Sequence, residues 1–189
     1  DEHKNILTVA RMAEDAGIAA IAIHGRTRTQ MYRGQAEYGL IAEAKRRLSI
    51  PVWVNGDIDS PQKAARVLAE TGADGVMIGR AAQGRPWLFR DVAHYLAHGS
   101  LPPPLPFQVA SEALLGHIHA MYGFYGEVAG MRIARKHIGW YLADLPEGET
   151  ERRRLNALES AEAQYNGLAA FLAAQSGQHE YWPCPWRQA

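Results

Sequence analysis

Three short apolar runs, at residues 18–23, 52–54 and 74–78, each break off in a polar or glycine-bearing loop, and each loop gives way to a stretch of helical periodicity. This repeated succession restricts the fold more than any other feature of the chain. Helical spacing at 5–16 (Ile6, Val9, Ala10, Ala13, with Gly17 to stop it) precedes the first run. Further helices are predicted over 38–48, 61–70 and 86–97. Ser60-Pro61 reads as an N-cap followed by proline in the first turn, and Lys45-Arg46-Arg47 as a basic helix end suited to the macrodipole. Strands alternating with helices of this length mean βαβ units and a parallel sheet. Runs without internal alternation, such as 19–23 and 52–54, suit a sheet covered on both faces. Three strands are too few for a closed barrel of about eight. We therefore read an α/β chain holding the last part of a TIM (β/α)8 barrel. The chain does not begin with Met and opens inside a helical pattern, so truncation is expected.

After Leu101-Pro102-Pro103-Pro104-Leu105-Pro106, a stiff extended linker, the pattern becomes all-helical. One helix is predicted over 107–122, with Val109, Leu114, Leu115 and Ile118 facing a core, and Gly123 and Gly126 bracket a turn. A second runs over 128–143. A third, over 149–174, carries Leu155, Leu158, Ala161, Tyr165, Leu168 and Leu172. Short connections make these antiparallel neighbours in a small bundle. The expected organisation is a partial barrel at 1–100, a linker at 101–106, a helical domain at 107–174 and an irregular tail at 175–189.

Twenty Lys plus Arg balance twenty Asp plus Glu, so no global field points to nucleic acid, and a basic patch must be local. The single cysteine, Cys184, excludes an internal disulfide framework and a sulfur-ligated metal cluster; it fits a reducing compartment. No apolar run reaches the roughly 18 residues of a membrane span.

Three loops follow the three strands: His24-Gly25-Arg26, Asn55-Gly56-Asp57 and Gly79-Arg80. In a barrel they converge on one rim, where active sites are built. Gly56 and Gly79 let backbone N–H groups approach an anion, and Gly79-Arg80 at a helix start can hold a phosphate. His24 can donate to a phosphate oxygen and Asn55 to a ring or phosphoryl oxygen. Asp57 can accept from a hydroxyl or fix Arg80. The combination points to a phosphate-bearing ligand.

His24-Gly25-Arg26-Thr27-Arg28, Tyr32-Arg33-Gly34-Gln35-Ala36-Glu37-Tyr38, residues 51–57 and residues 71–87 together closely resemble the tRNA-dihydrouridine synthases. Arg132-Ile133-Ala134-Arg135-Lys136-His137, followed by Trp140-Tyr141, resembles the bacterial B subgroup. The resemblance covers residue 1 to about 173. It implies an FMN-containing TIM barrel with a carboxyl-terminal helical domain, in the cytoplasm, that reduces a uridine of tRNA to dihydrouridine with NADPH. Carried over motif by motif, it implies that His24, Asn55, Gly56, Asp57, Gly79 and Arg80 hold FMN, chiefly at its phosphate. It also implies hydride transfer from the flavin to uracil and protonation by a cysteine. That cysteine, and a flavin-contacting lysine, would precede Asp1, and Cys184 in its proline-flanked tail matches nothing in the family. The expectation is a fragment that neither folds well nor reduces uridine alone, from a protein that is monomeric at full length.

RNA contact is expected on the helix over 128–143. At about 100° per residue, Met131, Ala134, Ile138, Tyr141 and Leu142 share one stripe, while Arg132, Arg135, Lys136 and Gly139 form another. Phosphate contacts from this second stripe would position tRNA, with Gly139 leaving room for a backbone and Arg26 and Arg28 adding contacts at the barrel mouth. Two other readings compete: another phosphate-binding barrel enzyme, such as a sugar-phosphate isomerase, and a non-catalytic RNA-binding remnant.

Overall fold

Why the first half folds as it does is clearest at Ser60. Its hydroxyl accepts from the Lys63 N–H at 3.2 Å, Pro61 occupies the first helical turn, and Gly72 closes the same helix in the left-handed region at φ 65. In the computed structural model, which describes residues 4–187, this helix is α3 (Pro61–Thr71), in the order α1 (Ile6–Asp15), β1 (Ile21–His24), α2 (Gly39–Arg47), β2 (Val52–Asn55), α3, β3 (Gly75–Met77). A short 3-10 turn at Arg80–Ala82 and α4 (Leu88–His98) follow. Replacing Ser60 by Ala should cost about 1 kcal/mol through the lost cap, read as a shift of the urea midpoint; an unchanged midpoint would show that Pro61 and burial alone hold the helix start.

The sheet is parallel throughout, in the order β1-β2-β3, with His24 opposite Asn55 and Asn55 opposite Met77. Ile23, Val52 and Val54 are buried on the face that packs against helices, where Ile41, Ala44, Ala64 and Val67 meet them in the core. The other face carries Ala22, Trp53 and Met77, and Trp53 is 41% exposed. This corrects the expected two-sided cover: apolar residues occupy both faces, yet helices cover only one of them among the described residues. Trp53 takes up part of the open face by lying across Gly75, where a Cβ would stand 2.5 Å from its ring.

The chain divides into two compact units, one formed by Asp1–Ala82 with Trp87–Leu101 and one by Gln83–Pro86 with Pro102–Ala189. The second holds α5 (Phe107–Tyr125), α6 (Glu127–Leu142), α7 (Gly148–Asn156) and α8 (Ala161–Ser176). Its core joins Phe107, Ala110, Leu114, Ile118 and Met121 of α5 to Met131, Ala134, Ile138, Tyr141 and Leu142 of α6, with Leu155, Leu168 and Leu172. Four expectations change here. Gly123 lies inside α5 and breaks nothing, and Gly126 alone joins α5 to α6. Val109 is exposed, because the α5 core stripe is 107-110-114-118. The helix expected over 149–174 is two helices, since Ser160 caps α8 by accepting from Ala163 N–H at 3.1 Å. The tail is irregular but anchored. Tyr181 bridges Pro106 in antiparallel sense, Trp182 N–H donates to the Leu105 carbonyl at 2.9 Å, and Trp182 stacks on Phe107 with centroids 5.0 Å apart. The tail's last two residues, 188 and 189, lie outside the described residues. No helix among the described residues is long and apolar enough to cross a membrane.

Candidate functional site

Parallel register puts the carboxyl ends of all three strands in one row. His24 and Asn55 pair across β1 and β2, so both side chains rise on the sheet face that helices leave open. His24 Nδ1 lies 2.6 Å from Asn55 Oδ1, and Asn55 Nδ2 donates to the Met77 carbonyl at 2.7 Å. The chain of bonds sets the histidine's protonation pattern. Because the asparagine nitrogen is spent on a carbonyl, its oxygen faces the ring, and Nδ1 must carry the proton. Nε2 is buried and has no partner. It accepts from a hydroxyl or N–H when the ring is neutral, and it donates to an anion only when the ring is cationic.

Asp57 organises the loop after β2. Its Oδ2 accepts from Arg26 Nη2 at 2.5 Å and from the Ala36 N–H at 2.9 Å, and its Oδ1 stands 3.6 Å from Arg80 Nη2. Burial pushes the carboxyl up, but the Arg26 hydrogen bond, the Ala36 N–H and the Arg26 charge outweigh it and hold Asp57 below its ordinary value. Of the two roles open to Asp57, the structure favours fixing an arginine, and the arginine it holds most closely is Arg26. The backbone is shaped to match: Asp57 has φ 48 and Gly56 φ 125. A methyl on Gly56 would come within 2.7 Å of Ala36 Cβ. The Gly56 carbonyl accepts from Tyr38 Oη at 2.7 Å, and burial followed by the Asp57 charge pushes that phenol up.

Arg26 is the residue the structure reassigns. Its side chain is only 2% exposed and also donates to the carbonyls of Arg33 at 3.2 Å and Gly34 at 2.7 Å. A guanidinium committed in this way is a strut under the loop, not a contact offered to RNA at the mouth. Arg28, by contrast, is exposed on the rim. Arg80 is exposed too, with its guanidinium carbon 4.0 Å from the centroid of the Tyr32 ring. Gly79 has open space where a Cβ would stand. His24, Asn55, Gly56, Asp57, Gly79 and Arg80 thus line one cleft of about 710 Å³. Sequence reasoning missed Tyr32, which lines the cleft, and Tyr38, which supports the loop behind it; both belong to the 32–38 motif, and nothing in their spacing marks them.

The cleft fits a phosphate-terminated ligand. It combines an unobstructed glycine backbone before a turn with an exposed guanidinium held in place by an aromatic ring, while the buried His24 Nε2 suits a hydroxyl or N–H of the same ligand when the ring is neutral. Among the described residues no group of three or more His, Cys, Asp or Glu could hold a metal ion. Cys184 belongs to the helical unit and does not line the cleft.

On α6 the expected stripes separate only in part. Met131, Ala134, Ile138, Tyr141 and Leu142 are buried, while Arg132 and Lys136 are exposed, with Lys136 Nζ 5.5 Å from the Trp140 ring centroid. Arg135 lies lower, half-buried, with Nη2 donating to the Leu158 carbonyl at 3.4 Å. The room expected at Gly139 is filled by Arg152, whose Cδ would be 2.8 Å from an added Cβ.

A family model described as "Dihydrouridine synthase (Dus)" matches residues 1–176. The tRNA-dihydrouridine synthase B of Xanthomonas campestris pv. campestris is 58% identical over 163 residues, covering 86% of this chain and 49% of that protein. Those of Pseudomonas syringae pv. tomato and Vibrio cholerae are 54% and 51% identical, covering 91% and 90% of the chain and 51% and 53% of their own lengths. The chain spans about half the length of these curated relatives.

Proposed function

The chain belongs to the dihydrouridine synthase family, and from that premise we propose that it carries the cofactor-phosphate hold and an RNA-contacting helix of a flavoenzyme that reduces uridine in tRNA to dihydrouridine. On this reading the three strands are the last of a (β/α)8 barrel, and the open sheet face bearing Trp53 and Met77 is part of the barrel's interior. The observation that carries the proposal is the cleft at the strand ends, where six motif residues meet around an unsatisfied His24 Nε2 and an open Gly79 backbone.

FMN fits this cleft through its phosphate. The helix start expected after Gly79-Arg80 is a three-residue 3-10 turn whose Ala82 N–H is spent on the Gly79 carbonyl. The phosphate hold therefore rests on the unobstructed approach at Gly79 and on the Arg80 guanidinium, which neutralises the charge. His24 Nε2 donates to the phosphate as a cationic ring or accepts from a flavin side-chain hydroxyl as a neutral one. Asn55 fixes the orientation of that ring, and Asp57 with Arg26 fixes the loop between them. Bound there, FMN would supply a hydride to the uracil C5=C6 bond, with NADPH as the reductant and the accompanying proton coming from an acid outside this chain. Arg132 and Lys136 offer phosphate contacts that position the tRNA without reading its sequence.

Two measurements test the reading. FMN titrated into the protein should lose fluorescence on binding, with affinity falling about tenfold or more in Arg80→Ala, as expected when one charge-assisted hydrogen bond is removed. Transfer RNA incubated with the whole protein, FMN and NADPH should gain two hydrogens at a uridine, detected by mass spectrometry. A protein that binds a sugar phosphate and ignores FMN would select the isomerase reading instead.

A further inference from the structure

The hairpin of α5 and α6 ends in an aromatic tip. Phe124 is 81% exposed, Tyr125 50% and Val128 65%, and the Phe124 and Tyr125 rings stand edge to face with centroids 4.8 Å apart. Contiguous apolar surface of this kind marks an interaction site more often than chance. The tip is also rigid. Gly126 is the single residue between the helices, at φ 77 and ψ 161, a conformation only glycine adopts without strain. Four residues on, the helices touch: a Cβ on Gly130 would lie 2.8 Å from the Met121 carbonyl oxygen and from Tyr122 Cα. The backbone that carries the rings is therefore ordered before anything binds them.

The charge beside the tip indicates what binds. At about 100° per residue, Val128, Arg132 and Lys136 fall within about 80° of one another, running from the edge of the α6 buried stripe at Val128 round to the far side at Lys136. Glu127, the one acidic residue of α6, sits in the first turn, about 140° around the axis from Arg132. Arg132 and Lys136 are about 6 Å apart along the axis, a spacing that adjacent phosphates of an extended strand can match. Exposed rings at one end and a row of cations leading away from them complement a polymer of flat bases and anionic linkages.

We propose that the α5–α6 tip is a nucleobase-contacting site, at which Phe124 and Tyr125 stack on an unpaired base of tRNA while Arg132 and Lys136 follow the adjoining phosphates. The proposal rests on the reading of the chain as part of a tRNA-acting enzyme, and it adds which surface meets single-stranded RNA. The contact is tolerant of base identity, because every base has a π-face.

The test is fluorescence anisotropy of the protein against a labelled tRNA and a fully paired RNA duplex over a range of salt. The double variant Phe124→Ala, Tyr125→Ala should bind tRNA about tenfold weaker or more, with an unchanged salt slope and unchanged duplex binding. Phe124→Trp should retain affinity. Arg132→Ala with Lys136→Ala should instead flatten the salt slope, by about 0.7 for each single-strand phosphate that the protein no longer neutralises. Wild type binding tRNA with the tip variant binding it equally well would overturn the inference and leave the enzyme reading intact. So would a tip variant whose only change is dissociation of a dimer in sedimentation, which would make the tip a contact between copies. Wild type that does not bind tRNA would sink the enzyme reading and the inference with it.

Discussion

Replacing Gly84 by alanine is expected to destabilise the helical unit by about 3 to 4 kcal/mol, roughly 1 from left-handed backbone strain and the rest from overpacking. Gly84 has φ 73, and an added Cβ would fall onto the Trp140 carbonyl group and within 2.7 Å of the Tyr141 nitrogen. These are backbone atoms in the last turn of α6, so they have no rotamer to yield. The neighbouring Arg85 offers no slack: its Nε and Nη2 grip Asp144 at 2.5 and 2.6 Å, and that hydrogen bonding pushes the guanidinium further up. Against a typical total stability of about 5 to 15 kcal/mol, such a loss is large. Urea denaturation of Gly84→Ala beside Gly79→Ala is the measurement. A Cβ at Gly79 meets open space, so that variant should keep its midpoint while binding FMN more weakly. Equal midpoints for the two would show that close packing at Gly84 does not matter.

Gly84 also shows what a sequence conceals. The motif around it resembles a family signature, but its packing against α6, more than 50 residues later, leaves no trace in spacing. The strand-loop-helix units were legible because each depends on neighbours in sequence: an apolar run, a polar break, and a cap such as Ser60 within three residues of its partner. The α7–α8 break was hidden because Leu155, Leu158, Ala161, Tyr165, Leu168 and Leu172 follow one another at helical steps of three and four residues straight across it. Gly123 misled in the other direction, since a glycine in a well-packed helix costs only about 1 kcal/mol. In the cleft, the residues at the strand ends could be named from their loops, whereas their pairing could not. Arg26 and Asp57 are 31 residues apart and meet only because parallel register brings their two strands side by side. Burial reversed the reading of Arg26, and no sequence pattern separates a guanidinium facing solvent from one facing a carboxylate.

The pair of Arg26 and Asp57 carries the second large expected effect. Asp57→Ala should destabilise the sheet unit by about 3 kcal/mol, at the low end for a broken buried ion pair because Asp57 is itself 23% exposed. Most of that cost comes from what remains: a guanidinium that is 2% exposed, with its Nη1 already unpartnered. Arg26→Ala combined with Asp57→Ala should therefore cost less than the two single changes added together. The pH dependence has a definite sign. The folded carboxyl sits below its ordinary value of 3.8, so its stabilisation is fully present above that value and is lost as pH falls through the lower folded one. Asp57→Asn keeps an oxygen for the Ala36 N–H but cannot neutralise Arg26. Its deficit against wild type should be constant from about pH 8 to 5 and shrink in stronger acid. FMN affinity should fall in the same variants, since the loop holding Gly56 and facing Arg80 loses its strut. An Asp57→Asn protein matching wild type in both urea midpoint and flavin affinity at neutral pH would remove the pair from any role in the site.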